Sequence, residues 1–132
     1  MNSNLIAVVD DECICRTTKL LTESVGYRAV VFGSGEIFLR PDPRHDTSSL
    51  IVDIHMPGIN GLELQSQLAA QGCTTPIIFI TAYGNKDTRR RAMLAGAVAF
   101  LDKPFSNAQL LETIRSALQL DTETRQTSDS SV

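Results

Sequence analysis

The stretch "SLIVDIHMPGINGLEL" (residues 49–64) passes from an apolar run to a turn and then to a helical pattern. The apolar run ends at a single carboxylate, Asp53, and the Met-Pro-Gly segment at 56–58 is typical of a turn. A charge buried at the end of an apolar strand is costly unless another group compensates it. The sequence should therefore supply a partner for Asp53 elsewhere in the chain.

The composition of the 132-residue chain fits one domain of common size. Hydrophobic residues make up 42% of it, which is enough for one core, and the net charge of −3 does not favour nucleic-acid binding. No run approaches the roughly 18 apolar residues of a membrane span, and the first residues lack the features of a signal peptide. These observations predict a cytoplasmic protein that binds neither nucleic acid nor membrane directly.

Short apolar runs alternate with helical patterns along the chain. The sequence predicts strands at 5–10, 28–32, 50–53, 76–81 and 98–101, and helices at 13–25, 34–39, 60–70, 86–95 and 106–118. The expected buried face of the first helix consists of Ile14, Thr17, Leu21 and Val25. Expected N-caps of later helices are Ser34, Asn85, and Ser106 or Asn107. Residues 1–120 are expected to form the domain, and the polar residues 121–132 a disordered tail or linker.

Fivefold alternation of strand and helix predicts an α/β fold, with a parallel sheet covered by helices on both faces. The strands are apolar throughout, as is typical of strands that are buried on both faces. In the flavodoxin-like order 2-1-3-4-5, the first and third strands would be neighbours at the point where ligands bind.

Polar residues follow the strands at the edge where such sheets bind ligands. Asp10 and Asp11 follow the first strand, Asp53 and Thr81 end the third and fourth, and Lys103 follows the fifth. Because the carboxyl ends of parallel strands meet at one edge, we expect these five side chains to share one small cleft.

Three carboxylates in one cleft need compensation, since two unit charges about 4 Å apart repel by roughly 4 kcal/mol at an effective dielectric near 20. Oxygen ligands that leave room for water favour Mg²⁺. A metal ion, the Lys103 ammonium and the Thr81 hydroxyl would together suit a phosphoryl group. Asp53 is the best candidate nucleophile, because the turn after it exposes its carboxylate and carboxylates form aspartyl phosphates.

Four segments carry a family resemblance: "VVDDE" (8–12), "IVDIHMPGINGLEL" (51–64), "IFITAYG" (78–84) and "AFLDKPF" (99–105). In order and spacing they resemble the receiver domain of bacterial two-component response regulators over about residues 4–120. The wording of "MPGINGLELQ" and "GAVAFLDKPF" is most similar to the FixJ-type branch. The resemblance implies a CheY-like fold: a doubly wound, five-stranded parallel sheet in the order 2-1-3-4-5 with helices on both faces.

The resemblance also implies a role for each residue of the cleft. Asp53 would be the phosphoacceptor, and Mg²⁺ would be bound by Asp53, by Asp11 directly, by Asp10 through water and by the backbone carbonyl of His55. Thr81 would form a hydrogen bond with the phosphoryl group.

Three further features follow from the same resemblance. Lys103 would pair with the phosphoryl group, and the Lys103–Pro104 peptide bond would be cis. Thr81 and Phe100 would be the switch residues. Gly58 and Gly61 are expected to adopt backbone angles that other residues resist.

The implied function is signal transduction by phosphotransfer, without enzymatic turnover. A sensor histidine kinase or a phosphotransfer protein would donate the phosphoryl group. The surface formed by the predicted helix at 86–95, the strand at 98–101 and the helix at 106–118 would then change. That surface would control a partner, a homodimer or an output domain.

Two features are open to a structural or a functional interpretation. His55 and Tyr83 either flank the path of the hydrolytic water and tune the lifetime of the phosphoryl group, or are ordinary loop side chains. The run Arg89–Arg91 either contacts an acidic partner or second protomer, or forms a solvated basic face.

Two alternative functions compete with a phosphorylated receiver. A Mg²⁺-dependent phosphatase of the haloacid-dehalogenase type also uses an aspartate nucleophile, but it places a second aspartate where this chain has His55. A receiver-like interaction module that no longer accepts phosphate is the other alternative. The complete set of cleft residues argues against it.

Overall fold

The computed structural model describes residues 4–10, 14–39, 47–56, 58–82 and 85–130, and residues 14, 15 and 120–130 are described only as helical backbone. Strands and helices alternate along the chain. They are β1 (Leu5–Val9), α1 (Ile14–Ser24), β2 (Arg28–Phe32), α2 (Gly35–Phe38), β3 (Ser49–Asp53), α3 (Gly61–Ala70), β4 (Ile77–Thr81), α4 (Lys86–Leu94), β5 (Ala99–Asp102) and α5 (Asn107–Ser130).

The five strands form one parallel sheet in the order β2-β1-β3-β4-β5. This confirms the predicted fold and strand order. Val9 is paired with Val52 across β1 and β3, and Asp53 is paired with Ile80 across β3 and β4. The register therefore brings residues 10, 53 and 81 to the same edge of the sheet.

The apolar core is divided by the sheet into two layers. One layer contains Ile6, Ile51 and Ile78 together with Leu110 and Ile114 of α5. On the opposite side, Val9, Val52 and Phe79 pack with side chains of α2, α3 and α4. Because both faces are covered, every residue of β3 and β4 is buried, which explains their continuous apolar sequence.

Polar side chains cap the helices that surround the site. The side chains of Ser34 and Asn85 accept hydrogen bonds at the starts of α2 and α4, as the sequence predicts. α3 begins with a capping box between Asn60 and Glu63. Ser106 and Gln109 make the same reciprocal pair of bonds before α5, and this decides between the two predicted caps in favour of Ser106.

Two expectations about helices are wrong. α5 continues to Ser130, past the predicted end at residue 118, so the segment expected to be disordered is helical this far. It lacks proline and glycine, and extending a formed helix costs much less than starting one. Nothing in this helix tests the predicted domain boundary at residue 120, which stays a prediction.

The buried face of α1 also differs from the predicted one. Thr17 and Val25 are exposed, whereas Thr18 and Thr22 are buried. The hydroxyl of Thr22 donates a hydrogen bond to the carbonyl of Thr18, so its burial leaves no unsatisfied donor.

Among the helices of the described ranges, none has both the length and the apolar character of a membrane span.

Candidate functional site

Asp53 lies at the carboxyl end of β3 and is 2% exposed, so the expectation that the turn exposes its carboxylate is wrong. Immediately after it, the backbone nitrogen of Ile54 donates to the carbonyl of Ile80, 3.0 Å away, so the sheet fixes the start of the turn. The turn closes at Gly61, whose nitrogen donates to the carbonyl of Ile54 at 2.9 Å. Asp53 is thus held between a sheet and a tight turn rather than on a loose loop.

The two glycines of this turn serve different purposes. Gly58 has a φ of +73°, in the left-handed region that favours glycine, as expected. Gly61 has no positive φ, so the expectation of an unusual backbone angle is wrong there. A Cβ atom at Gly61 would lie 2.7 Å from the carbonyl oxygen of Asp53, and glycine is needed because the two backbones touch.

The ammonium of Lys103 is the partner that the sequence requires for Asp53. Its Nζ lies 3.0 Å from Asp53 Oδ2 and 3.8 Å from Asp10 Oδ2. Asp10 is 1% exposed, and the Lys103 side chain is 14% exposed. Among the residues that the structure describes, the Lys103 ammonium therefore faces two buried carboxylates, in surroundings where water screens charge poorly.

The second oxygen of Asp53 is held by the backbone of the turn. The nitrogen of His55 donates a hydrogen bond to Asp53 Oδ1 over 2.9 Å. The His55 residue itself is exposed. Asp53 is consequently oriented by an amide on one oxygen and an ammonium on the other.

Thr81 lies at the end of the neighbouring strand and is fully buried. Its carbonyl accepts a hydrogen bond from the backbone nitrogen of Lys103 over 2.8 Å, so the ends of β4 and β5 are joined at this edge. The Lys103–Pro104 peptide bond is cis, the isomer that the family resemblance implies.

Phe100 lies on β5 with its side chain in the layer under α4 and is 7% exposed. Its ring centroid is 6.4 Å from that of Phe79. The guanidinium carbon of Arg89 lies 5.9 Å from the same centroid, within the range of a cation–π contact. The first arginine of the basic run thus has a specific intramolecular partner.

The donors at this edge fit a hard cation. Asp10 and Asp53 offer carboxylate oxygens, and oxygen donors are the ligands that Mg²⁺ prefers. The backbone carbonyl of His55 stays a predicted ligand. In the described part of the chain, no group of three or more His, Cys, Asp or Glu side chains has the arrangement of a metal site. Asp11, which is expected to bind the metal directly, and Tyr83 lie outside the described residues.

Sequence reasoning missed two polar side chains. Gln65 is buried between α3 and α4, and its Nε2 donates to the carbonyl of Ala92 at 3.1 Å. Glu36 on α2 accepts a hydrogen bond from the nitrogen of Ile59. Neither contact has a local sequence signal, because the partners are 27 and 23 residues apart.

Comparison with protein families gives a match over most of the chain. Residues 6–115 match the family model of the response regulator receiver domain. Nodulation protein W of Bradyrhizobium diazoefficiens is 38% identical over 122 residues, which are 92% of this chain and 54% of the relative. The transcriptional regulatory protein FixJ of the same organism is 34% identical over 115 residues, which are 86% of this chain and 56% of FixJ. The chain spans about half the length of these curated relatives.

Solved structures show the same architecture. The response regulator StyR superposes with a TM-score of 0.86 at 38% sequence identity, over 98% of this chain and 66% of StyR. The structure named FixJ-N superposes with a TM-score of 0.80 at 31% identity, over 90% of this chain and 96% of that one. A CheY-like receiver domain protein from Methanospirillum hungatei reaches a TM-score of 0.86 at 25% identity, over 93% of this chain and 99% of that protein.

Proposed function

The chain belongs to the response regulator receiver domain family of two-component signalling proteins, and from this premise we propose that it accepts a phosphoryl group on Asp53. The observation that carries the proposal is the placement of Lys103 Nζ 3.0 Å from Asp53 Oδ2 in a buried cluster. That ammonium can compensate the added charge of a phosphorylated side chain. Fold membership alone would not identify the acceptor.

The proposed reaction begins with a phosphohistidine on a sensor histidine kinase or a phosphotransfer protein. A carboxylate oxygen of Asp53 bonds to phosphorus as the nitrogen–phosphorus bond breaks, and the departing imidazole takes up a proton. The His55 amide and the Lys103 ammonium orient the carboxylate for this attack. Water later attacks the phosphorus, releases inorganic phosphate and restores the carboxylate, so the chain is reset without steady turnover of a substrate.

Mg²⁺ is the proposed cofactor. Asp10, Asp53 and the carbonyl of His55 would hold it, together with Asp11. When bound, the cation neutralises negative charge on the phosphoryl oxygens. The chain itself would then hold the ammonium of Lys103 against the same phosphoryl group.

Phosphorylation is proposed to change the surface formed by α4, β5 and α5. Thr81 would bond to the phosphoryl group, and Phe100 would adjust beneath α4. A shift from 1:99 to 99:1 needs about 5.5 kcal/mol of differential stabilisation. One charge-assisted hydrogen bond supplies roughly 1.5–3 kcal/mol, so a partner or a second protomer should provide part of the rest.

The cellular location of the domain and its lack of contact with nucleic acid also stay proposals. A cytoplasmic location and the absence of direct nucleic-acid contact by this domain are predictions from the sequence. The phosphatase alternative is not retained, because the family match and the fold are those of a receiver. The alternative of an interaction module that is never phosphorylated is tested by the experiment that follows.

Labelling of the intact chain distinguishes these functions. With acetyl phosphate and Mg²⁺, we expect mass spectrometry to show one added phosphoryl group on the parent and none on Asp53→Asn. Asp102→Asn is the matched control, because Asp102 is an exposed carboxylate at the end of β5, and it should be labelled like the parent. Labelling of Asp53→Asn to the parental extent, or a parent that responds to neither acetyl phosphate nor beryllofluoride, would contradict the proposal.

A further inference from the structure

A carboxylate on α2, that of Glu36, contacts the turn that follows Asp53. The backbone nitrogen of Ile59 donates a hydrogen bond to Glu36 Oε2 over 3.0 Å. The two residues are 23 positions apart, so this bond connects the segment after β2 with the segment after β3. Both segments leave the sheet at the edge that contains Asp53.

The carboxylate of Glu36 also lies against Gly58. A Cβ atom built on Gly58 would overlap with Glu36 Oε2 and lie 3.1 Å from its carboxyl carbon. The carboxylate therefore occupies the space that any other side chain at position 58 would fill. Glu36, Gly58 and Ile59 form one fitted contact, which we call the Glu36 contact.

Glu36 is itself exposed, but α2, the helix that carries it, is anchored at its start and at its end. The helix is capped by Ser34, whose hydroxyl accepts a hydrogen bond from Ile37 over 3.1 Å. Phe38 is buried, and its ring lies edge-on to that of Phe32 on β2, with 5.0 Å between the centroids. The Glu36 contact thus links the turn to an element that is anchored on the sheet.

The Glu36 contact reaches the turn between its two anchored ends. The first residues of the turn are fixed by the bonds of Ile54 to β4 and of His55 to Asp53. Its last residue before α3, Asn60, belongs to the capping box. Between these points, the Glu36 contact fixes residues 58 and 59 from outside the turn.

We propose that Glu36 is a positioning residue for the metal site, acting through the backbone of the turn on the carbonyl of His55. This inference rests on the proposed function, since it concerns the same Mg²⁺ site. Groups that orient a metal ligand without touching the metal commonly change its affinity. The required property of Glu36 is an acceptor oxygen at the nitrogen of Ile59, and the negative charge is not needed for it.

Titration of the intact chain with Mg²⁺ alone tests the inference. NMR shifts of the amides of Asp53 and His55 report the metal affinity, and hydrogen exchange reports protection of the Ile59 amide. We expect Glu36→Ala to weaken Mg²⁺ binding by about tenfold, the weak end of such effects because three residues separate Ile59 from His55. Exchange at Ile59 should accelerate in the same variant. Glu36→Gln keeps an acceptor oxygen and should restore both values to near those of the parent.

Glu63→Ala is the matched control. Glu63 Oε1 accepts a hydrogen bond over 2.9 Å from the backbone nitrogen of Asn60, the residue that follows Ile59. This bond belongs to the local capping box of α3. Its loss should lower the stability of the chain to urea while leaving Mg²⁺ affinity close to that of the parent. A substitution that acted only by lowering the overall stability would change the stability to urea and the Mg²⁺ affinity together.

The outcomes distinguish this inference from the proposed function. If the parent binds Mg²⁺ and Glu36→Ala binds it equally well, the positioning role is wrong and the proposed function stands. If Glu36→Gln is as weak as Glu36→Ala, or Glu63→Ala loses as much affinity, the role assigned to the acceptor oxygen is also wrong. A parent that does not bind Mg²⁺ would overturn both the inference and the proposed metal site.

Discussion

Lys103 compensates the charge of two buried carboxylates. Its removal should show how much an uncompensated carboxylate lowers the free energy of unfolding. We expect Lys103→Met to lower the free energy of unfolding by about 3 kcal/mol in metal-free buffer, because removing one partner of a buried pair leaves charge uncompensated. Added Mg²⁺ should recover part of this loss by replacing the missing positive charge. Urea unfolding with and without Mg²⁺ measures both effects.

The exposed pair of Lys19 and Glu23 provides a control of similar length. Its Nζ and Oε2 are 2.8 Å apart, but the two side chains are 37% and 40% exposed. Lys19→Met should change the free energy of unfolding by less than about 1 kcal/mol, as is usual for surface pairs. Equal effects of the two substitutions would show that Lys103 contributes no more to the free energy of unfolding than a lysine of a surface ion pair.

Gly61 tests a steric requirement at the turn after Asp53. In Gly61→Ala, the new Cβ would meet two backbone atoms, the Asp53 oxygen at 2.7 Å and the Ile54 Cα at 2.8 Å. Since backbone atoms cannot move aside as a flexible side chain can, we expect a loss of about 1–3 kcal/mol in urea unfolding, the usual range for overpacking. Gly33→Ala is the control, because nothing lies within 4 Å of a Cβ there, and it should be nearly neutral. A neutral Gly61→Ala would show that the turn shifts easily.

The sequence is enough to predict that the polar residues around Asp53 converge, but not to predict the side chains that hold the neighbouring turn and helices in place. Asp10, Asp53, Thr81 and Lys103 each end or follow a strand, so strand pattern and topology predict that they converge. Glu36 and Gln65 could not be predicted in this way. Their partners come from segments that approach only when the helices pack. Gln65 is buried although glutamine on a helix is usually solvent-exposed, and Glu36 is exposed like any surface glutamate, so neither contact is marked in the sequence.

At the scale of elements, α4 is the helix with the fewest buried residues among the described side chains. Of its nine residues only Ala92 is buried. Two polar contacts add to this burial: the bond from Gln65 to the carbonyl of Ala92, and the guanidinium of Arg89 over the Phe100 ring. We expect native-state hydrogen exchange to show lower protection in α4 than in α3, which buries Leu64 and Leu68.

Gln65→Leu should loosen α4 selectively. It removes one interhelical hydrogen bond of about 1 kcal/mol, which corresponds to roughly fivefold faster exchange of the α4 amides. The carbonyl of Ala92 keeps a partner, because it also accepts from the nitrogen of Ala97. Gln67→Leu, at an exposed position of the same helix, is the control. Unchanged exchange in α4 of Gln65→Leu would show that this bond does not hold the helix.

Element bounds were predicted well where a polar cap or a strand end marks them. β2 was predicted at its observed bounds, and Asn85 correctly marked the start of α4. Helical faces were harder to predict. Among the described side chains of α1, the buried ones are Thr18 and Thr22, and the Thr22 hydroxyl is satisfied by a backbone carbonyl, whereas a hydrophobicity pattern favours Val25 instead.

At the scale of the whole molecule, metal binding should be measurable as stability. A cation that binds only the folded chain raises its free energy of unfolding by about 2.7 kcal/mol at one hundred times its Kd. We expect Mg²⁺ to raise the Tm of the parent, EDTA to reverse the rise, and Asp53→Asn to reduce it. NaCl at equal ionic strength is the control. An Mg²⁺ effect no larger than that of NaCl would argue against a specific site.

The global architecture was predictable because one physical pattern determines it. Strands that are buried on both faces and separated by helices specify a parallel sheet, and the family resemblance then indicates its strand order. The extent of α5 was not predictable from polarity, because a polar segment without proline or glycine can continue an existing helix.

The light attachment of α4 has a consequence for the unphosphorylated protein. Because α4 buries only Ala92, we expect displaced arrangements of this helix to lie only slightly higher in free energy, and a minor fraction of molecules to adopt them before any phosphoryl donor arrives. Under the proposed function, phosphorylation would then enlarge an existing subpopulation instead of creating a new conformation. The background output of the pathway would be set by the few atoms under α4, and variants there would raise or silence signalling in cells that lack the kinase.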